Sequence, residues 1–251
     1  MSIYETSAHM VSTLLAIGPP LILAITIHEA SHGYVAYLLG DDTAKTNGRM
    51  TLNPLKHIDP IGTIAIPLSL FLGMTILKIQ HIIFGWAKPV PVTQSRLKSP
   101  KRDFAIVSAA GPIANIIMAI FWAIIVIALN NPPSLEAFIS SLTLAIWNNN
   151  QHLSLLSYMA HFGVLINTIF AAINLLPIPP LDGANIVAAF LSKRSHAIYM
   201  SLAPIGVWLV LGLLISGALW GVIKVINLNI LNLVYYLATQ CVRLIDLIPT
   251  I

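Results

Sequence analysis

Long apolar runs separated by short polar stretches set the pattern of this chain. A helix that spans a bilayer needs about 20 mostly apolar residues. Runs at residues 10–39, 104–129, 154–176 and 198–223 reach that length. The first is interrupted by Pro19-Pro20 and by the polar set His28, Glu29, Ser31 and His32, whereas 104–129 holds no charge at all. Residues 61–77 are apolar but short, and 226–251 are apolar with Arg243 and Asp246 embedded, a weak span or a helix along the interface. The pattern predicts an all-α polytopic membrane protein with about five to six transmembrane helices in a single integral-membrane domain over 1–251. No internal repeat or low-complexity tract breaks it.

Composition sharpens this picture. Of the 251 residues 57% are hydrophobic and only 9% are charged, against about 25% charged in ordinary soluble domains. Mean hydropathy is +0.84. A water-soluble globular domain and a disordered chain are both excluded, and Cys241, the single cysteine, excludes a disulfide scaffold. The net charge of +4 does not point to nucleic acid, because the cations lie in short loops where they orient membrane spans. Lys45, Arg49 and Lys56 fall in 41–59, Lys88, Arg96, Lys98, Lys101 and Arg102 in 88–103, and Lys193-Arg194 follow later, while 130–153 has none. The positive-inside rule puts the first three segments in the cytoplasm and 130–153 outside, together with an N-terminus expected to lack a cleaved signal. Both flanks of 61–77 are then cytoplasmic. A re-entrant or β-hairpin-like segment after the first helix reconciles them, with two very short spans as the alternative.

Ionisable groups inside an apolar span are expensive, which makes them functional candidates. His28-Glu29-Ala30-Ser31-His32 places two imidazoles one helical turn apart on one face, within reach of a single Zn²⁺. Glu29 stands beside them, suited to proton transfer rather than ligation. A catalytic zinc needs a third protein ligand. Val35 and Leu38 stand where one known extension of the motif needs Gly and His. Of the carboxylates that follow, Asp41, Asp42, Asp59, Asp103, Glu136 and Asp246 mostly lie in charged loops or at span ends, where solvation accounts for them. Asp182 differs: it follows the proline-broken stretch Leu176-Pro177-Ile178-Pro179-Pro180-Leu181 at the end of an apolar run, so it is the strongest third ligand.

These residues, with Gly111-Pro112-Ile113-Ala114-Asn115 in a later span and Asn174 to Gly183 (NLLPIPPLDG), resemble the site-2 proteases, intramembrane zinc metalloproteases. GRMTLNPLKHIDPIG at 48–62 and GWAKPVPV at 85–92 resemble their compact prokaryotic branch without a PDZ domain. The resemblance implies a catalytic core at about 10–190, C-terminal helices at about 198–251, and one Zn²⁺ per chain held by His28, His32 and Asp182. It further implies Glu29 as the catalytic base, Asn174 as an oxyanion donor, and membrane-protein substrates in a prokaryotic inner membrane. Ala184 departs from the family, which often has a second Gly there. Asn174 has a structural alternative, bonding to helix carbonyls freed near Pro177, and Asn115 reads as an interhelical hydrogen-bonder. The remaining histidines, His57 among them, lack ligand spacing. The alternate prolines of 85–92 forbid a helix; they suit an edge strand that pairs with an extended peptide or, equally, a connecting loop.

Hydrolysis in a membrane requires local unwinding of the substrate helix, so spans containing Gly, Asn or Pro are expected to be cut. Two other functions use the same residues. A metal carrier would need the ligands but not Glu29, and an inactive relative would bind membrane partners without cutting them.

Overall fold

The computed structural model describes residues 3–66, 69, 87–147 and 154–246. The described residues are helical or irregular, with no strand among them. The helices are α1 (Ile3–Leu38), the single turn α2 (Thr43–Thr46), α3 (Pro100–Asn130), α4 (Leu135–Trp147), α5 (Leu155–Asn174), α6 (Asp182–Ala188), α7 (Lys193–Met200), α8 (Ala203–Ile215) and α9 (Trp220–Asp246). Of these, α3, α5 and α9 are long and apolar enough to cross a membrane, and α7 with α8, bent by 58°, makes a fourth if the pair is one span. The expected re-entrant segment falls mostly outside the described residues; its described start is a π-helical turn at Pro60–Ala65, capped by the Asp59 carboxylate.

Local chemistry sets several boundaries. Helix α1 runs unbroken through Pro19 and Pro20. Helix α3 begins at Pro100, where proline's missing N–H is no loss, and Asp103 accepts a 2.7 Å hydrogen bond from Ser99 N–H just ahead of it. Pro112 therefore lies well inside the helix. The helix stops where Asn131 takes φ 41° and Pro132-Pro133 follow. The stretch 130–153, expected on the outer side, holds α4, whose Phe138 and Leu142 supply a buried apolar face. The run 198–223 is not one helix either: Pro204 opens α8 in its first turn, and Gly217 at φ 81° ends it.

Contacts divide the chain into two units. One comprises residues 1–24, 113–172 and 223–251. In it Asn115 is fully buried and donates to Ala24 O at 3.2 Å and Asn167 Oδ1 at 2.9 Å, the interhelical role expected for it. Ile113, Ile117 and Phe121 form an exposed stripe along α3, each more than half accessible, as a lipid-facing surface requires. The other unit comprises 25–112 and 173–222 and contains the polar chemistry. Ala36, Leu97 and Val107 form a buried cluster there, with Val35, Leu39, Val92 and Phe104 against it. Asp41 and Asp103, expected to be solvated, are instead fully buried. Backbone donors replace the water: Asp41 takes the N–H groups of Thr93 at 2.6 Å and Thr43 at 3.0 Å.

Candidate metal centre

Three side chains from two distant stretches converge in the second unit. His28 and His32 come from adjacent turns of α1, and Asp182 is the first residue of α6. Their ligand atoms form a triangle: His28 Nε2 to His32 Nε2 is 3.1 Å, and Asp182 Oδ2 lies 3.2 Å from the first and 3.5 Å from the second. All three side chains are nearly buried, at 10–14% exposure.

The chain reaches this geometry through its prolines and glycines. After α5 ends at Asn174, the carbonyls of Ile173, Leu176 and Ile178 accept from Leu176, Ile178 and Leu181 in a series of tight turns. Pro177, Pro179 and Pro180 prevent the helix from continuing. The chain reverses and restarts at Asp182. Gly183 makes the reversal possible, since a Cβ there would stand 2.4 Å from the Leu175 carbonyl oxygen.

The triangle fits a metal ion better than it fits hydrogen bonding. Asp182 Oδ2 is buried and makes no well-directed hydrogen bond, despite its two imidazole neighbours. His32 Nδ1 lies 2.8 Å from Val107 O; a carbonyl only accepts, so Nδ1 carries the proton and Nε2 is left as a lone-pair donor for a cation. Edges of 3.1, 3.2 and 3.5 Å match the roughly 3.3 Å separation expected of tetrahedral ligands with bonds of about 2.05 Å. Two nitrogens and one carboxylate oxygen are a catalytic zinc donor set with a position left open.

Gly111 keeps that space clear. A Cβ on it would lie 2.5 Å from His28 Cε1 and 2.6 Å from both Nε2 atoms. The nearness of Gly111 to the imidazoles depends on how α3 meets α1, which no local pattern reveals.

Glu29 does not join the triangle. Its Oε2 accepts a 2.9 Å hydrogen bond from Val90 N–H. The described part of 85–92 is thus an irregular segment and not a strand. Asn174 closes α5, half-buried, at the point where the proline turns begin. Ser31, polar on α1, is satisfied within its own helix by Ile27 O at 2.6 Å. Other histidines have local partners: His57 Nε2 bonds to Thr51 O at 2.9 Å, His161 Nδ1 to Ser157 O at 2.6 Å and His196 Nδ1 to Ala188 O at 3.2 Å. The side chains of His9, His81 and His152 lie outside the described residues.

The sequence profile of peptidase family M50 matches residues 18–217. A relative from Bacillus subtilis (strain 168), named "Putative zinc metalloprotease YwhC", is 39% identical over 171 residues, covering 66% of this chain and 65% of its own. Another, "Putative zinc metalloprotease Rip2" from Mycolicibacterium smegmatis, is 30% identical over 201 residues, 79% of this chain and 66% of its own. The chain thus spans about two thirds of the length of these relatives. No solved structure matches it.

Proposed function

Because the chain belongs to peptidase family M50, we propose that it is a zinc-dependent endopeptidase that cuts transmembrane segments of partner proteins. The convergence of His28, His32 and Asp182 on one point, with Glu29 next along the helix, carries this reading. In it the three converging residues hold one Zn²⁺ per chain. Such a metal, when bound, supplies Lewis-acid polarisation and brings the pKa of water towards ~7. Glu29 takes the proton from the attacking water and returns it to the leaving amine, which is general acid–base catalysis by one carboxylate. Val90 N–H fixes one of its oxygens and leaves the other for that transfer. Asn174 donates its amide N–H to the oxyanion as it develops.

The proposed setting is a prokaryotic cell membrane crossed five to six times, with α1 as a span and the re-entrant segment after it. The Lys and Arg of 41–59, 88–103 and 193–194 then face the cytoplasm. His28 lies ten residues before the end of α1 at Leu38, about 15 Å along the axis at the α-helical rise. The cut falls in the cytoplasmic part of a substrate span and releases a cytoplasmic fragment. Substrates are membrane proteins whose spans unwind easily at Gly, Asn or Pro.

The test is co-expression with a library of single-span proteins, wild type against Glu29→Gln. The variant is expected to keep one zinc per chain and to lose cleavage, because ligation and proton transfer lie on different residues. Zinc lost with Glu29→Gln would make Glu29 a ligand and overturn the assignment. Metal flux that persists in the variant, with no cleavage by the wild type, would favour a carrier.

A further inference from the structure

The proline-rich segment at 87–92 has a use that neither a strand nor a plain connector explains. Lys88 N–H donates to His57 O at 2.9 Å, and Val90 N–H donates to Glu29 Oε2 at 2.9 Å. Pro89 and Pro91 have no N–H. Alternate prolines thus leave Val90 with the only amide between Lys88 and Val92, and the carboxylate takes it. A single donor bordered by two residues that cannot donate offers Glu29 one hydrogen bond in one direction.

Two features hold that amide in place. Gly33 lies one turn beyond Glu29 on the same face of α1. A Cβ there would come within 3.1 Å of Val90 Cγ1, so the bare glycine lets the buried Val90 pack close to the helix. Arg49 holds the segment from the other direction. It is buried at 8% exposure, and its Nη2 donates to Lys88 O at 2.7 Å and Pro89 O at 3.4 Å. Its own backbone is fixed by a 2.8 Å bond from its N–H to Ala44 O. A buried guanidinium needs partners, and these are the two carbonyls immediately before Val90. The peptide plane that carries Val90 N–H is the one whose Pro89 carbonyl Arg49 contacts, so moving the guanidinium moves the donor.

We propose that Arg49 is a positioning residue for Glu29, acting through the Lys88–Pro89 carbonyls and the Val90 amide. The proposal rests on the proteolytic reading for its kinetic arm only. Groups that orient a metal-site residue from behind typically change activity about 10- to 100-fold, and that is the range expected here.

The experiment uses the full chain in detergent micelles, as wild type, Arg49→Met and Arg49→Lys. Three quantities are read: bound zinc, deuterium uptake by the peptide covering 88–92, and turnover of a reconstituted single-span reporter with a Gly-Asn-Pro segment in its span. Arg49→Met should keep its zinc, exchange the Val90 amide at least about tenfold faster and lose about 10- to 100-fold in kcat, with KM within about threefold. Arg49→Lys should recover part of both losses, since an ammonium still donates to one carbonyl. Wild-type exchange and kcat in Arg49→Met would overturn the proposal. So would loss of zinc, which would mean that Arg49 supports the whole site and not the amide. If even the wild type fails to cut the reporter, the proteolytic reading is at fault, and the exchange rates still decide whether Arg49 holds the amide.

Discussion

Gly111→Ala is the sharpest perturbation this site offers, because it adds one methyl group and nothing else. The added carbon would lie 2.5 Å from His28 Cε1 and 2.6 Å from the Nε2 atoms of His28 and His32. Nonbonded carbon contacts settle near 3.5 Å or beyond, so the imidazoles must retreat by about 1 Å. Gly111 is interior to α3, where its Cβ direction is fixed by the backbone. His32 has little room to yield, since moving its ring loosens the 2.8 Å bond to Val107 O. A metal site tolerates ligand displacements of only about 0.2 Å, so two of the three ligands leave coordination range.

Changes behind the ligands of such sites already weaken metal binding about 10- to 100-fold. Direct displacement of two ligands should weaken zinc binding by at least about a hundredfold. The helix itself gains from the substitution, because alanine is favoured over glycine in a helix interior by about 1 kcal/mol. Helix content and thermal midpoint in detergent should therefore stay at or near wild type while zinc and cleavage are lost. Elemental analysis after dialysis against a graded series of chelator concentrations measures the first effect, and reporter cleavage the second. Full zinc at wild-type affinity in Gly111→Ala would show that the imidazoles do not stand against Gly111, and the reasoning would fail.

Among Asp182→Asn, Asn174→Ala and Asn115→Ala, residual cleavage should be near background for the first, reduced about 10²- to 10³-fold for the second and highest for the third, whose interhelical bond is worth only about 0.6 kcal/mol on average; wild-type zinc and turnover in Asp182→Asn would move the third ligand elsewhere. Asp41 is buried, which opposes its ionisation, but hydrogen bonds from Thr43 and Thr93 and the charge of Arg96 outweigh burial and hold its carboxyl below the usual carboxylate range. That stabilisation is fully present above about pH 4 and is lost as pH falls through the lowered value, so the gap in thermal midpoint between wild type and Asp41→Asn should close on acidification, and a gap independent of pH would contradict it. Cysteines placed singly at Ser95 and Ser192 in a Cys241→Ser background should label from the cytoplasmic side alone and one at Asn149 from outside alone, whereas external labelling of Ser95 would overturn the re-entrant reading of 61–77 and force one crossing there.

How much of this was legible in the sequence depended on how local the cause was. His28 and His32 are one turn apart, and their pairing follows from helix periodicity alone. Asp182 stood out because the prolines before it forbid a helix. The role of Gly111 was hidden: a glycine in an apolar helix looks the same whether it packs against a methyl group or an imidazole. Asp41 and Asp103 were read as solvated because a lone carboxylate at a span end usually is, and the backbone amides that replace water come from loop geometry. Helix α4 was masked by Pro132-Pro133 before it and the asparagines at 148–150 after it, which make the whole stretch look like a connector.

Polar groups persist in this apolar chain in two different ways, and the difference bears on which of them act. Asn115, His161 and Ser31 each meet a direct protein partner at hydrogen-bond distance; their polarity is consumed, and what they contribute is cross-linking. Asp182 Oδ2 is one of five buried side-chain atoms without a hydrogen bond among the described residues. The other four are Arg49 Nε, His57 Nδ1, Trp122 Nε1 and Asn227 Oδ1. Their residues are not among His28, His32 and Asp182, the ligand group found among the described residues. An unpaired buried atom normally destabilises by about 1–3 kcal/mol. A cation at the point where the three side chains meet would give the Asp182 oxygen the partner it lacks. Glu29 lies between the two kinds: one oxygen is held by Val90 N–H, which orients the group, and the proton transfer proposed for it needs only the other.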